Sequence, residues 1–258
     1  MPNVKELYDY LDEKIPRALS CEWDNDGLMV CADAEKDVRR VLLALDATDE
    51  VAKYAAENGF DAVVTHHPMI FSPLRALNTL DPTAKKALFL AKNDIAVMSF
   101  HTRLDALDGG VNDTLAEKLG VENAVPFGPA GEQLGRIGSL PAPMPFREFC
   151  KKVAQVLSSP CTQAIGAKEN VQKVALLGGG GKDFVESAIA AGADVFVTGE
   201  VTYNVMLGAR AAGLCLVAAG HYHTERPVLS ALRAMIKEKF HETEIEEYPF
   251  DTEIFAVK

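Results

Sequence analysis

Apolar residues in this chain come in short blocks, and the spacing inside the blocks changes. Behind Asn3, the segment Val4–Lys14 carries apolar residues at helical spacing, which predicts an amphipathic helix capped by Asn3. VRRVLLAL at Val38–Leu45 predicts a strand, Asp49–Asn58 a helix with Thr48 or Asp49 as cap and Gly59 as stop, and Asp61–Thr65 a second strand. Pro82–Lys92 then reads as helix, Ile95–Phe100 as strand and Val111–Leu119 as a helix ended by Gly120. Residues 121–145 break the rhythm with clustered Pro and Gly and no long helical pattern. Beyond them the alternation resumes: helix at Phe146–Leu157, strand at Val171–Leu177, helix at Lys182–Ala191, strand at Asp194–Thr198, helix at Tyr203–Ala212, strand at Leu214–Ala218, helix at Pro227–Phe240 and a last strand in EIEEYPF. Short apolar runs alternating with helices imply βαβ units and sheets covered on both faces. The expected fold is α/β, with two similar lobes packed together: residues 1–125, a short connector at 126–145, and residues 146–258, the C-terminal segment packing back onto the first lobe. FDAVVTHHP and ADVFVTGEV share a rhythm, but not enough identity to establish a repeat.

A chain of 258 residues suffices for one large domain or two small ones, and 48% hydrophobic with 24% charged residues is a globular composition. The formal net charge of −11 argues against general nucleic-acid or anionic-membrane binding, which needs surplus Lys and Arg. It leaves room for a nucleotide in a pocket where a metal supplies local positive charge. The N-terminus lacks an apolar leader core, and no run approaches the ~18 apolar residues of a membrane span. The five cysteines are scattered and never in C-x-x-C spacing, which favours reduced thiols and a cytoplasmic protein. Cys215 reads as a small core residue.

Charge and composition leave the chemistry to the strand ends, where ligands of α/β sheets bind. His66 and His67 follow one predicted strand; His101, Thr102 and Asp105 follow another; Gly199 and Glu200 follow a third; His221, His223 and Glu225 follow a fourth. Of the six histidines, only His241 falls on a charged helix as plain surface. A lone histidine in such a place is ordinarily a hydrogen-bonded structural residue. Three separate segments offering His with Asp or Glu are harder to explain that way. Imidazole with carboxylate suits Zn, Mn, Fe, Co or Ni, and the lack of matching cysteines argues against a structural Cys-rich zinc site. In an extended segment His66 and His67 would point to opposite sides, and so would serve two neighbouring ions rather than one. Glu225, in the first turn of a helix after His221, has two oxygens with which to bridge a metal pair.

The pieces CEWDNDGLMV, VTHHPMIF, SFHTRLDALDGGVNDTLAEKLG, VALLGGGGKDF, GADVFVTGEVTY and AAGHYHTERPVL run in order over nearly the whole chain. In them the sequence resembles the NIF3-like family, also called DUF34 and labelled GTP cyclohydrolase 1 type 2. The resemblance implies two α/β lobes with a dinuclear metal site in the cleft between them, and a ring-shaped homohexamer. It implies His67 and Asp105 on one metal, His66 and His221 on the other, Glu225 bridging, and His101 beside them as proton acceptor or donor. Some relatives carry an inserted domain where this chain has only the Pro/Gly-rich segment. Arg103 stands where many relatives have Asn in HTN-x-D, and Asn204 where many have His after the Tyr of TGD/TGE-x-x-Y. From sequence, Arg103 would add a fixed cation near the cleft.

Two other stretches have competing readings. Gly178–Gly181 before Lys182 invites a phosphate loop, but Leu176 and Asp183 break the G-x-x-x-x-G-K-[ST] pattern, so a tight turn is the simpler reading, with a phosphate at the backbone N–H groups as the alternative. Trp23 among acids reads as a packed Trp in an Asx-turn loop, with Asp24 or Asn25 as cleft-lining alternatives. No nucleophile set of the Ser/His/Asp or Cys/His kind stands out. The expected activity is metal-dependent hydrolysis of a small molecule such as a nucleotide, cyclic amide or phosphoester, with two divalent ions and with His101, His223 and Glu225 as the catalytic candidates. A metal-binding regulatory or scaffold protein without turnover is the competing expectation.

Overall fold

The structure, a computed structural model, describes residues 1–249. The chain divides into two compact units, the first comprising Met1–Leu104 and the returning segment from Leu229, the second Asp105–Val228. The expected connector at residues 126–145 is therefore not where the units part, and the C-terminal segment belongs with the first unit.

The first unit contains α1 (Val4–Lys14), β1 (Gly27–Val30), β2 (Arg40–Ala44), α2 (Asp49–Glu57), β3 (Ala62–Thr65), α3 (Pro82–Lys92), β4 (Ala96–Ser99) and, from the returning segment, β11 (Glu244–Glu247). Asn3 caps α1 in a reciprocal box with Glu6, an arrangement worth ~1 kcal/mol. Thr48 and Asp81 cap α2 and α3 from one side only, accepting the N–H groups of Val51 and Ala84. The sheet runs β1-β4-β3-β2-β11, parallel except for β1 against β4. Leu42, Val63 and Val97 are wholly buried in the core with Ala55 and Leu90 from the covering helices. Such burial explains why these strands read as continuous apolar runs. Phe250 of the predicted last strand lies outside the described residues.

The chain passes into the second unit within α4 (Thr102–Ala106). There follow α5 (Val111–Leu119), β5 (Glu122–Phe127), β6 (Gly135–Pro145), α6 (Phe146–Val156), β7 (Gln163–Ile165), β8 (Asn170–Gly180), α7 (Val185–Ala190), β9 (Val195–Glu200), α8 (Tyr203–Ala211), β10 (Cys215–Ala218) and α9 (His221–Glu225). The chain leaves this unit as α10 (Val228–Lys239) begins. The sheet order is β5-β6-β8-β9-β10-β7, with β8, β9 and β10 parallel and the outer pairs antiparallel. The Pro/Gly-rich stretch thus forms two strands rather than a loose connector. Its glycines are there for close approach: a Cβ at Gly135 would meet the Phe127 ring and one at Gly138 the Glu122 carbonyl. Pro126 sits in β5, which lies at the sheet's edge and tolerates the missing N–H.

A shared device opens the central strands of both units. The Asp61 carboxylate accepts the N–H groups of Arg39 and Arg40 at 2.8 and 3.0 Å; the Asp194 carboxylate accepts those of Gln172 and Lys173 at 3.0 and 2.9 Å. The rhythm seen between FDAVVT and ADVFVT is this aspartate pinch at the start of a parallel strand. Burial alone would raise the Asp194 carboxyl, but Lys168 and the two backbone N–H groups outweigh it and hold it below the usual carboxylate range. Among the described residues no helix is long and apolar enough to cross a membrane.

Candidate metal-binding residues

Each unit presents its own set of ligand-type side chains where parallel strands end. In the first unit the chain bends as β3 ends at Thr65. The Thr65 hydroxyl donates to the His67 carbonyl at 2.8 Å, and the His67 N–H donates to the Leu45 carbonyl at 2.8 Å. Because the backbone is bent here and not extended, the His66 and His67 rings do not splay as their adjacency predicts; their centroids lie 4.9 Å apart. His101, beyond β4, stands 5.3 Å from His66 and 5.7 Å from His67. One nitrogen from each of the three rings falls within 4.8 Å of the others.

In the second unit α9 carries His221 and Glu225 one helical turn apart, with Nε2 and Oε2 at 3.2 Å. Glu225 is buried and His221 is partly exposed. Glycine makes room for them: Gly179 has φ +68°, and a Cβ there would collide with the Glu225 carboxylate and come within 3.0 Å of His221 Nε2. Asp105 is buried in α4, and its carbonyl accepts from Asn112 Nδ2 at 3.3 Å. Asn112 Oδ1 in turn accepts the Gly178 N–H at 2.8 Å, tying α4 to the glycine run beside Glu225. His223 is partly exposed in α9 and packs edge-on against Tyr222 at 5.4 Å.

The ring hydrogen bonds share one polarity. Nδ1 of His66 faces the Phe100 carbonyl at 3.0 Å, Nδ1 of His67 the Asp46 carboxylate at 2.9 Å, Nδ1 of His101 the Asp24 carboxylate at 2.9 Å, and Nδ1 of His221 the Glu200 carboxylate at 3.2 Å. A carbonyl or carboxylate oxygen only accepts, so the rings of His66, His67 and His101 donate through Nδ1 and, when neutral, carry the lone pair on Nε2; His221 faces a carboxylate at 3.2 Å from each ring nitrogen and is held between Glu200 and Glu225. Fixing the tautomer through the far nitrogen is how proteins orient metal-ligating imidazoles. Imidazoles oriented in this way in the first unit, and the imidazole of His221 with the carboxylates of Asp105 and Glu225 in the second, are of the kinds that a first-row divalent ion prefers as nitrogen and oxygen donors.

Several residues depart from the expectation set by the sequence. Asp24, one of the two cleft-lining alternatives, and Asp26, which the sequence did not single out, accept five hydrogen bonds from three consecutive residues. Asp24 takes His101 Nδ1, Thr102 N and Thr102 Oγ1; Asp26 takes His101 N and Arg103 Nε. Burial alone would raise the Asp24 carboxyl, but the His101 and Thr102 hydrogen bonds outweigh it and hold it far below the usual range. Arg103 is not a cation offered to a ligand. It is wholly buried, gripped by Asp26 at 3.0 Å, Asp12 at 2.6 Å and the Ile15 carbonyl at 2.8 Å, and it lies over the Phe100 ring. The phosphate alternative for Gly178–Gly181 falls because the N–H groups of Gly178, Gly179 and Gly181 are spent on Asn112, Thr224 and Glu200. Asn204 accepts from the Thr202 hydroxyl at the start of α8. Trp23 is not packed away: it is 55% exposed beside Phe71 at 52%, and both rings stand within 6.5 Å of His101.

The family model for Duf34/NIF3 (NGG1p interacting factor 3) matches residues 2–253. A protein of Clostridium perfringens named GTP cyclohydrolase 1 type 2 homolog is 34% identical over 241 residues, covering 92% of each chain. A Methanocaldococcus jannaschii protein of the same name is 35% identical over 226 residues, covering 86% of this chain and 89% of its own. Among solved structures, the Bacillus cereus protein related to NIF3 superposes with a TM-score of 0.87 at 27% identity over 100% of this chain and 99% of that one. Reduced HcgD from Methanocaldococcus jannaschii gives 0.84 at 30% identity over 96% and 98%. The chain belongs to the Duf34/NIF3 (NGG1p interacting factor 3) family.

Proposed function

We propose that this chain is a metal-dependent hydrolase of a small molecule, with two divalent ions (Zn, Fe, Mn, Co or Ni) held by His66, His67, Asp105, His221 and Glu225. The observation that carries the reading is a common tautomer: His66, His67 and His101, from two strand ends, each donate through Nδ1 and carry the lone pair on Nε2, with one nitrogen of each ring within 4.8 Å of the others. When bound, such ions lower the pKa of water from ~15.7 toward ~7 and polarise a phosphoryl or carbonyl oxygen. The chain's own residues then have distinct tasks. His66, His67 and His221 would hold the ions through ring nitrogens, and the buried carboxylates of Asp105 and Glu225 would supply charge. His101, held by Asp24, accepts or returns a proton at Nε2; His223 is the second candidate for proton transfer.

The substrate side has its own support. Phe71 borders a cavity of about 560 Å³ that also includes Leu74, Arg75 and Thr83, a size suited to a small ligand. Trp23 and Phe71 expose ring faces on which a flat base or cyclic amide would stack, and the relatives' name points to a nucleotide. We also propose a ring-shaped homohexamer, which the molar mass from light scattering tests, and a reducing compartment for the five free thiols. The test of function is a panel of nucleotides, phosphoesters and cyclic amides assayed with metal-loaded and chelated protein. Turnover is expected only with metal and not in Glu225→Ala. Metal-independent turnover, or activity surviving that substitution, refutes the reading. A tightly bound metal with no turnover on any substrate favours the scaffold instead.

A further inference from the structure

We propose that Asp24 is a positioning residue that locks His101 in the Nδ1–H tautomer, leaving Nε2 as its proton-accepting atom. The carboxylate has no exposed side-chain surface and accepts four hydrogen bonds. Oδ1 takes His101 Nδ1 and the Asn25 N–H, each at 2.9 Å; Oδ2 takes the Thr102 N–H at 3.0 Å and the Thr102 hydroxyl at 2.6 Å. Two of these donors are backbone N–H groups on opposite oxygens, so the carboxylate cannot turn without orphaning one. The Thr102 hydroxyl is itself anchored, accepting the Cys21 N–H at 3.0 Å. The ring is thereby fixed from one side while Asp26 holds its backbone N–H at 3.1 Å.

The arrangement makes Asp24→Asn informative. An amide offers one acceptor and one donor, so one face of the side chain must change partners. Each oxygen takes two donors, but Thr102 is buried whereas the His101 ring can exchange its donor for an acceptor by moving one proton, which keeps the amide oxygen toward Thr102 and leaves the Asn25 N–H facing the NH₂ group. The NH₂ group then faces His101 Nδ1, which must become the acceptor, and the proton moves to Nε2. The same change in a Ser-His-Asp triad leaves the geometry intact and removes activity by placing the ring in the wrong tautomer. Thr102→Val removes one bond to Asp24 without asking anything of the imidazole.

Two-bond 1H–15N correlation spectra of metal-free full-length protein, recorded above the histidine titration range and assigned with His101→Gln, read the tautomer directly. Wild type and Thr102→Val are expected to show His101 protonated at Nδ1 with a pyridine-type Nε2, and Asp24→Asn the reverse. A wild-type ring protonated at Nε2, or an Asp24→Asn spectrum with the wild-type pattern, overturns the proposal; if Asp24→Asn does not fold, the wild-type spectrum decides alone. The consequence for turnover rests on the hydrolase reading: kcat should fall about a hundredfold or more in Asp24→Asn with KM little changed. Absence of turnover in wild type would defeat that reading and leave the tautomer result standing.

Discussion

Removing the Asp26 carboxylate should unfold the protein more readily than any surface substitution, because of what it leaves behind. Arg103 and Asp26 have no exposed side-chain surface, and their pair is 3.0 Å long. Breaking a buried pair from one side costs about 3–5 kcal/mol, since the surviving charge stays out of water. Here Asp12 and the Ile15 carbonyl still hold Nη1, which places Asp26→Ala near the lower end, about 3 kcal/mol. A further donor, the His101 N–H, also loses its acceptor, which works against any rescue by Asp12, whereas Arg17 Nη1 keeps the Asp26 carbonyl. Against a total stability of about 5–15 kcal/mol the loss is large. Urea denaturation followed by circular dichroism at neutral pH measures it as a fall in midpoint at constant slope. The double variant Asp26→Ala with Arg103→Met removes both charges and should be more stable than Asp26→Ala alone; with the Arg103→Met single it closes a cycle whose coupling should exceed about 1 kcal/mol. A single-variant loss under about 1 kcal/mol, or strict additivity in the cycle, would refute the account of Arg103 as a buried, internally neutralised cation.

Three further outcomes are expected. The Asp194 carboxyl sits below its unfolded value, so the stability it adds is fully present above about pH 3.9 and fades as pH falls through the lower folded value; Asp194→Asn should therefore be less stable than wild type at neutral pH and converge with it in acid, and a pH-independent gap in urea midpoints would contradict this. Gly179→Ala forces a left-handed alanine against Glu225 and should cost about 1–3 kcal/mol and weaken metal binding by calorimetry, whereas Gly180→Ala, whose Cβ meets nothing within 4 Å, should preserve both; equal effects would sink the argument. Metal at a hundred times its dissociation constant adds about 2.7 kcal/mol, so chelation should lower the melting temperature, and an unchanged curve after confirmed metal loss would count against a formed site.

The parallel cores were legible in the sequence because strands such as AVVT and CLVA are buried along their whole length and can hardly be anything but apolar. Helix ends were legible for the same kind of reason: Asn3, Thr48 and Gly120 act locally, within three or four residues of where they stand. β5 and β6 were hidden because edge position and close packing admit the proline and glycine that otherwise signal a loop. Asp24 was legible only as one of two cleft-lining alternatives, and Asp26 not at all, because their partners lie more than seventy residues away and are partly backbone N–H groups, which carry no sequence signature. Arg103 was misjudged on charge alone; its burial depends on acids supplied by two other segments.

β11, made of residues 244–247, lies alongside β2 and closes one edge of the first sheet. During synthesis every other strand of that sheet has emerged by Ser99, well before β11 exists. The intervening residues of the second unit can reach their final pairing while β2 still presents bare amide and carbonyl groups. For that interval the nascent polypeptide carries an open sheet margin, which makes it a natural client for chaperones on the ribosome.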